Sequence, residues 1–232
     1  MYYYQDEFLS QESYLGAKNI CEAEIGLVSP GEQRQLSVTF DLKSGDLITC
    51  DKKLLSYGSS LKQILDEILA NAKPNSICHR DKINLIETVD INFVGSGPEY
   101  SYPNHIDIIR KVFTGVIYLS PEKSAGTFFQ LDDTNEIEVA WEPNRCVSFA
   151  RRKNRSIHRY ESLEDTRYTL VFNFNTSVLG CCYLIEGEYL NSLRIMCRRL
   201  INLRFYLFFK EISKICSLLY GRYQRHGLCL FL

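Results

Sequence analysis

Between Ile83 and Asn175 the chain breaks into seven short runs of β-branched and aromatic residues: Ile83–Val94, Val112–Leu119, Gly126–Leu131, Glu136–Trp141, Cys146–Ala150, Ser156–Tyr160 and Tyr168–Phe174. Glycine, proline, asparagine and aspartate separate them. Runs this short cannot form helices long enough to bury a face, whereas as strands each gains its hydrogen bonds from a neighbour. Several of them at this spacing predict an all-β sandwich or barrel. Before this region one helix is predicted over Ser59 to Ala72, where Leu61, Ile64, Leu65, Ile68, Leu69 and Ala72 repeat at helical spacing, with serines placed to cap the start and Pro74 to stop it. Gln35 to Leu42 reads as a strand, Asp46 to Ser56 as irregular or strand structure, and the first thirty or so residues as acidic and weakly patterned.

Three parts follow: an N-terminal cap over 1–82 with one or more strands and the amphipathic helix, a β core over 83–176, and a C-terminal helical extension over 177–232. The fold class is mainly β with flanking helices. Gly187 to Leu232 carries eight basic side chains against Glu188 and Glu211. This segment has three readings: helices packed on the core, a dimer interface, or a helix lying on a membrane surface.

At 232 residues the chain holds one sizeable core. With Lys+Arg at 27, Asp+Glu at 28 and a net charge of -1, it has no global basic field, and no nucleic-acid partner is expected. The nine cysteines form no C-x-x-C pair, which predicts reduced thiols rather than a disulfide or zinc framework. The opening Met1-Tyr2-Tyr3-Tyr4-Gln5-Asp6-Glu7 has no basic segment followed by an apolar one, so the expected address is cytoplasmic. The most apolar stretch, Leu200 to Phe209, is too short and too interrupted to be a transmembrane segment.

The chemistry sits in Tyr102-Pro103-Asn104-His105-Ile106-Asp107. On a strand, residues i and i+2 share a face, so His105 and Asp107 can grip one metal ion. His158, on another predicted strand, would complete a two-histidine, one-carboxylate triad of the kind suited to divalent iron. Read alone, His105 and Asp107 are equally an ordinary polar pair beside a strand. Arg167 lies nine residues beyond His158 in Arg167-Tyr-Thr-Leu-Val-Phe-Asn-Phe. On a buried strand its guanidinium needs an anion, either a bound dicarboxylate or a salt bridge to Glu164 or Asp165. Thr169 and Asn173 share its face. Arg110 and Lys111 read as solvated, with an acidic substrate as the alternative.

These residues carry a resemblance. The stretch from Tyr100 to Asn175 resembles the Fe(II)- and 2-oxoglutarate-dependent dioxygenases, in particular their prolyl-hydroxylase-like branch. H-x-D falls at His105 and Asp107, the distal histidine at His158 and the cosubstrate arginine at Arg167. Thr114 to Pro121 is similar to the strand that follows H-x-D, Gly126-Thr-Phe-Phe129 to the glycine strand after it with one glycine replaced, and Arg155-Ser-Ile-His158 to the lead-in of the distal ligand. The resemblance implies a double-stranded β-helix (jelly roll) with Fe(II) held by His105, Asp107 and His158, and 2-oxoglutarate paired bidentately with Arg167. It places Tyr118 beside the same carboxylate, the alternative for Tyr118 being core, and it makes Thr169 and Asn173 candidates for the cosubstrate pocket. It implies oxidation of a small-molecule or peptidyl substrate by O2, with 2-oxoglutarate converted to succinate and CO2 and ascorbate as a reductant. Because Asp107 is present, hydroxylation rather than halogenation is the implied outcome. The alternative from another class is a jelly-roll module that binds a ligand without turnover.

Overall fold

The computed structural model describes residues 2–73, 85–152 and 156–177, all within one compact unit that spans Met1–Glu186. The C-terminal extension expected beyond Ser177, with its three readings, lies outside the described residues, as do His79, His226 and the Cys181-Cys182 pair.

Among the described residues, eleven strands form two antiparallel sheets. The major sheet contains β1 (Tyr2–Gln5), β2 (Gln33–Asp41), β3 (Leu47–Cys50), β4 (Ile86–Ser96), β6 (Lys111–Ser120), β9 (Cys146–Ala150) and β11 (Arg167–Thr176) in the order β1-β9-β6-β11-β4-β2-β3. The minor sheet contains β5 (Ser101–His105), β7 (Thr127–Gln130), β8 (Glu136–Val139) and β10 (His158–Glu161) in the order β5-β10-β7-β8. This is the expected jelly roll; each of the seven predicted runs contains a strand, Cys146–Ala150 with both ends as predicted and the others with an end moved by a few residues, the start of the first run, at Ile83, lying outside the described residues. The segment before residue 83 contributes more than a cover, because β2 pairs with β4 from Gln33↔Ser96 to Asp41↔Thr88 and so widens the sheet that carries the site.

Strand alternation divides the molecule into layers. On β11, Tyr168, Leu170, Phe172 and Phe174 enter the main hydrophobic cluster, while Arg167, Thr169, Val171 and Asn173 line a cavity on the other face. β4 repeats the division, with Val89, Ile91 and Phe93 in the cluster and Asp90, Asn92 and Val94 lining the cavity. Two helices supply the other side of the cluster. The predicted helix is α2, Gly58–Asn71, buried through Leu61, Ile64, Leu65 and Ile68. Ser59 and Ser60, expected to cap it, lie inside it, because the helix continues out of a 3-10 turn over Lys52–Tyr57 and has no side-chain cap.

The second helix, α1 (Gln11–Ile20), was not expected from its weak pattern; it buries Ser13, Ala17 and Ile20 and runs on into a wide helical turn over Cys21–Ile25. Ser10 caps it, its hydroxyl accepting from the backbone N–H of Ser13. Glu67 on α2 accepts from the hydroxyls of both Ser10 and Ser13, which fixes one helix against the other. Close packing leaves no room at Gly115, where an added Cβ would lie 2.0 Å from the Phe172 ring.

Candidate metal and cosubstrate site

His105 and His158 occupy directly opposed positions on β5 and β10, and their ring centroids lie 4.1 Å apart. The Nδ1 atoms of His105 and His158 lie 3.0 and 2.9 Å from the carbonyl oxygens of Pro103 and Ser156. A carbonyl only accepts, so each Nδ1 carries the proton and each Nε2 keeps the lone pair a metal needs. Burial lowers the pKa of His158 to about 4, against the opposing effect of the Ser156 carbonyl, so this ring is neutral at pH 7.

Asp107 arrives differently from expected. β5 ends at His105, and Asp107 lies beyond it, just ahead of the turn that the Lys111 N–H closes by donating to the Ile108 carbonyl. The strand stops there because its partner β10 begins at His158, so no backbone remains to pair with Asp107. Side chains hold the turn instead. Lys111 Nζ donates to Asp107 Oδ1 at 2.9 Å, Thr114 Oγ1 to Oδ2 at 2.8 Å, and Arg151 Nε to the Asp107 carbonyl at 3.0 Å. Lys111 is therefore no solvated bystander, while Arg110 reaches the carbonyl of Thr176. Burial pushes the Asp107 pKa up, but the neighbouring ammonium, His158 and Thr114 outweigh it and hold the carboxyl below its ordinary value. One donor atom each from His105, Asp107 and His158 lies within 4.8 Å of the others. Two imidazoles and one carboxylate are a donor set that fits a divalent iron.

Arg167 lines the same cavity of about 330 Å³. It is 2% exposed, and its Nε and Nη2 have no hydrogen-bond partner. No ion pair to Glu164 or Asp165 forms among the described residues. The guanidinium carbon lies 4.6 Å from the centroid of Tyr160, 4.9 Å from Trp141 and 5.6 Å from Tyr118. Aromatic faces attract the cation but cannot accept its in-plane N–H groups. A buried charge left this way is costly, and burial pulls its pKa down. A dicarboxylate would supply the missing acceptors.

The other expected residues divide. Thr169 lines the cavity one position along from Arg167 on the same face. Asn173 also lines it, but at the metal end, where its Oδ1 lies 3.1 Å from Thr114 Oγ1. Tyr118 does not line the cavity; it is fully buried, stacks on Trp141 at 4.4 Å, and its hydroxyl lies 2.9 Å from Thr127 Oγ1 and 3.3 Å from the Val139 carbonyl. Thr127 lines the cavity in its place. The sequence reading missed Trp141, Tyr102, Tyr160, Gln33, Gln35, Asp90 and Asn92, because their place in the site depends on which strands pair, and no local spacing encodes that.

No protein-family model matches the chain, and no curated protein matches it by sequence. Solved structures do. The full-length thymine-7-hydroxylase of Neurospora crassa, in complex with α-ketoglutarate and thymine, superposes with a TM-score of 0.54 at 9% identity, covering 76% of this chain and 76% of that one. A Pseudomonas putida prolyl-4-hydroxylase gives 0.49 at 16% identity over 76% of this chain and 92% of that one. The viral collagen prolyl hydroxylase of Paramecium Bursaria Chlorella virus-1 gives 0.45 at 13% over 75% and 94%. The likeness to the Neurospora enzyme shows the jelly-roll fold.

Proposed function

We propose that this chain is an Fe(II)- and 2-oxoglutarate-dependent oxygenase that hydroxylates its substrate. One observation carries the reading: three donor atoms within 4.8 Å share a cavity with a buried guanidinium whose Nε and Nη2 lack partners. The likeness in fold to a structure that contains α-ketoglutarate supports it.

The Nε2 atoms of His105 and His158 and a carboxylate oxygen of Asp107 would hold the iron, and Arg167 would hold the distal carboxylate of the cosubstrate. When bound, iron and 2-oxoglutarate together activate O2 and supply the oxidising power, which no side chain provides. The protein orients and shields. The Pro103 and Ser156 carbonyls fix the imidazole tautomers, and Thr114 and Lys111 fix the carboxylate, so the ligands need little reorganisation. Tyr118, Trp141 and Tyr160 keep water from the guanidinium and hold its plane. The Tyr118 hydroxyl lies within hydrogen-bond distance of both Thr127 Oγ1 and the Val139 carbonyl, so Tyr118 braces Thr127 at the cavity wall. The test is conversion of 2-oxoglutarate to succinate by the purified chain with Fe(II), O2 and ascorbate. Succinate formation abolished in Asp107→Ala supports the reading; none from the wild-type protein overturns it.

A further inference from the structure

Among the described residues lining the cavity, only Asp90 and Asp107 are acidic and only Lys111 and Arg167 carry a permanent positive charge. Lys111 is committed to Asp107. Arg167 lies on the Ser96 row of β4, six residues along that strand from Asp90, so about 20 Å separates their backbones. Among the described residues that line the cavity, then, no cation remains for Asp90. Its carboxylate is held open by neutral donors from both flanking strands: Thr39 Oγ1 on β2 donates to Oδ1 at 2.9 Å, and Asn175 Nδ2 on β11 donates to Oδ2 at 2.6 Å. A carboxylate accepts about four hydrogen bonds, so two acceptor positions remain. Nearby, the Gln35 amide nitrogen is spent on Asn92 Oδ1 and Ser37 Oγ, which leaves its oxygen as a further acceptor.

We infer that Asp90 is a specificity-determining residue that binds a cationic, N–H-bearing head of the prime substrate, an ammonium or guanidinium group. This rests on the oxygenase reading and names the substrate class of that site. The sheet register gives the scale. Asp90 pairs with Asn173, and Asn173 pairs with Thr114, whose hydroxyl holds Asp107. Two strand spacings separate the Asp90 backbone from Thr114, about 10 Å. The oxidised C–H therefore lies a few bonds from the charge. Val116 and Val171, on the adjoining row, offer an apolar strip for the aliphatic part between.

The experiment measures succinate formation by the iron-loaded full chain with L-lysine, L-arginine and lysine- or arginine-containing tripeptides. Each is set against a matched neutral or acidic compound: norleucine, citrulline or glutamate. Calorimetry follows binding of the same compounds to the protein loaded with Mn(II) and 2-oxoglutarate. Stimulation and binding confined to the cationic members are expected, with neutral analogues about tenfold or more weaker. Asp90→Asn should lose the discrimination, and Asp90→Glu should retain part of it. Equal response to neutral analogues, no response to any cation, or an unchanged Asp90→Asn profile would overturn the inference. Absence of Mn(II) and 2-oxoglutarate binding in the parent protein would instead overturn the oxygenase reading. A melting curve for each variant identifies any that fails to fold, and the wild-type panel decides without them.

Discussion

His105 and His158 stand opposite each other across the β5–β10 ladder, each with Nδ1 at a carbonyl oxygen, so one register pair leaves two ring nitrogens with the lone pairs a metal ion would need. Replacing either by alanine leaves two ligands. Calorimetry with Mn(II) or Co(II) should show affinity about 100-fold or more weaker for each variant, with the melting temperature of the metal-free protein lowered little for the less buried His105. Wild-type affinity in His158→Ala would remove that side chain from the site.

Arg167 has the opposite signature in binding. Arg167→Lys cannot reproduce a two-pronged contact, so 2-oxoglutarate affinity should fall about tenfold or more while Mn(II) affinity stays. The cosubstrate should raise the melting temperature of the wild-type protein but not of Arg167→Met, since only the former has a buried cation awaiting an acceptor.

Lys111 places an ammonium against a carboxylate that is also to receive a dication. Lys111→Met should therefore bind Mn(II) more tightly, by about tenfold, because a like charge leaves while Thr114 still orients the carboxylate. Lys111→Arg should behave as wild type, and weaker binding by Lys111→Met would refute the repulsive role.

The pH dependence of metal-free stability has a defined sign. His158 titrates near 6.5 when unfolded and at about 4 when folded, so below pH 6.5 the unfolded chain takes up a proton that the folded one refuses. Stability should fall progressively from about pH 6.5 to 4, by up to about 3 kcal/mol for this group, and His158→Gln should flatten that window in urea titrations with chelator present.

Gly115 tests the helix-side packing. Gly115→Ala drives a methyl into the Phe172 ring and should cost about 1–3 kcal/mol. Combined with Phe172→Leu it should cost less than the two changes summed, a coupling readable from a double-mutant cycle.

Strand composition and helical periodicity read correctly because each expresses one element's own burial pattern. The runs that become β4, β6 and β11 alternate or fill with β-branched and aromatic residues because one face meets the helices, and α2 shows its stripe because it covers that face. α1 was missed because it buries only Ser13, Ala17 and Ile20, too small a stripe to stand out. Asp107 was placed on a strand because H-x-D resembles alternation, and the register of β10 ended that strand two residues early.

The order of residues by itself determined the chemical inventory: which imidazoles, carboxylate and guanidinium were available, and that both imidazoles and the guanidinium would be carried on strands. Only the tertiary structure decided that Trp141 and Tyr160 enclose Arg167, and that Asp90, on the strand paired with β11, looks into the same space. The physical reason is that strand pairing is a long-range contact. Its partners are chosen by the burial of whole faces, so neighbours across a sheet leave no trace in the spacing along the chain.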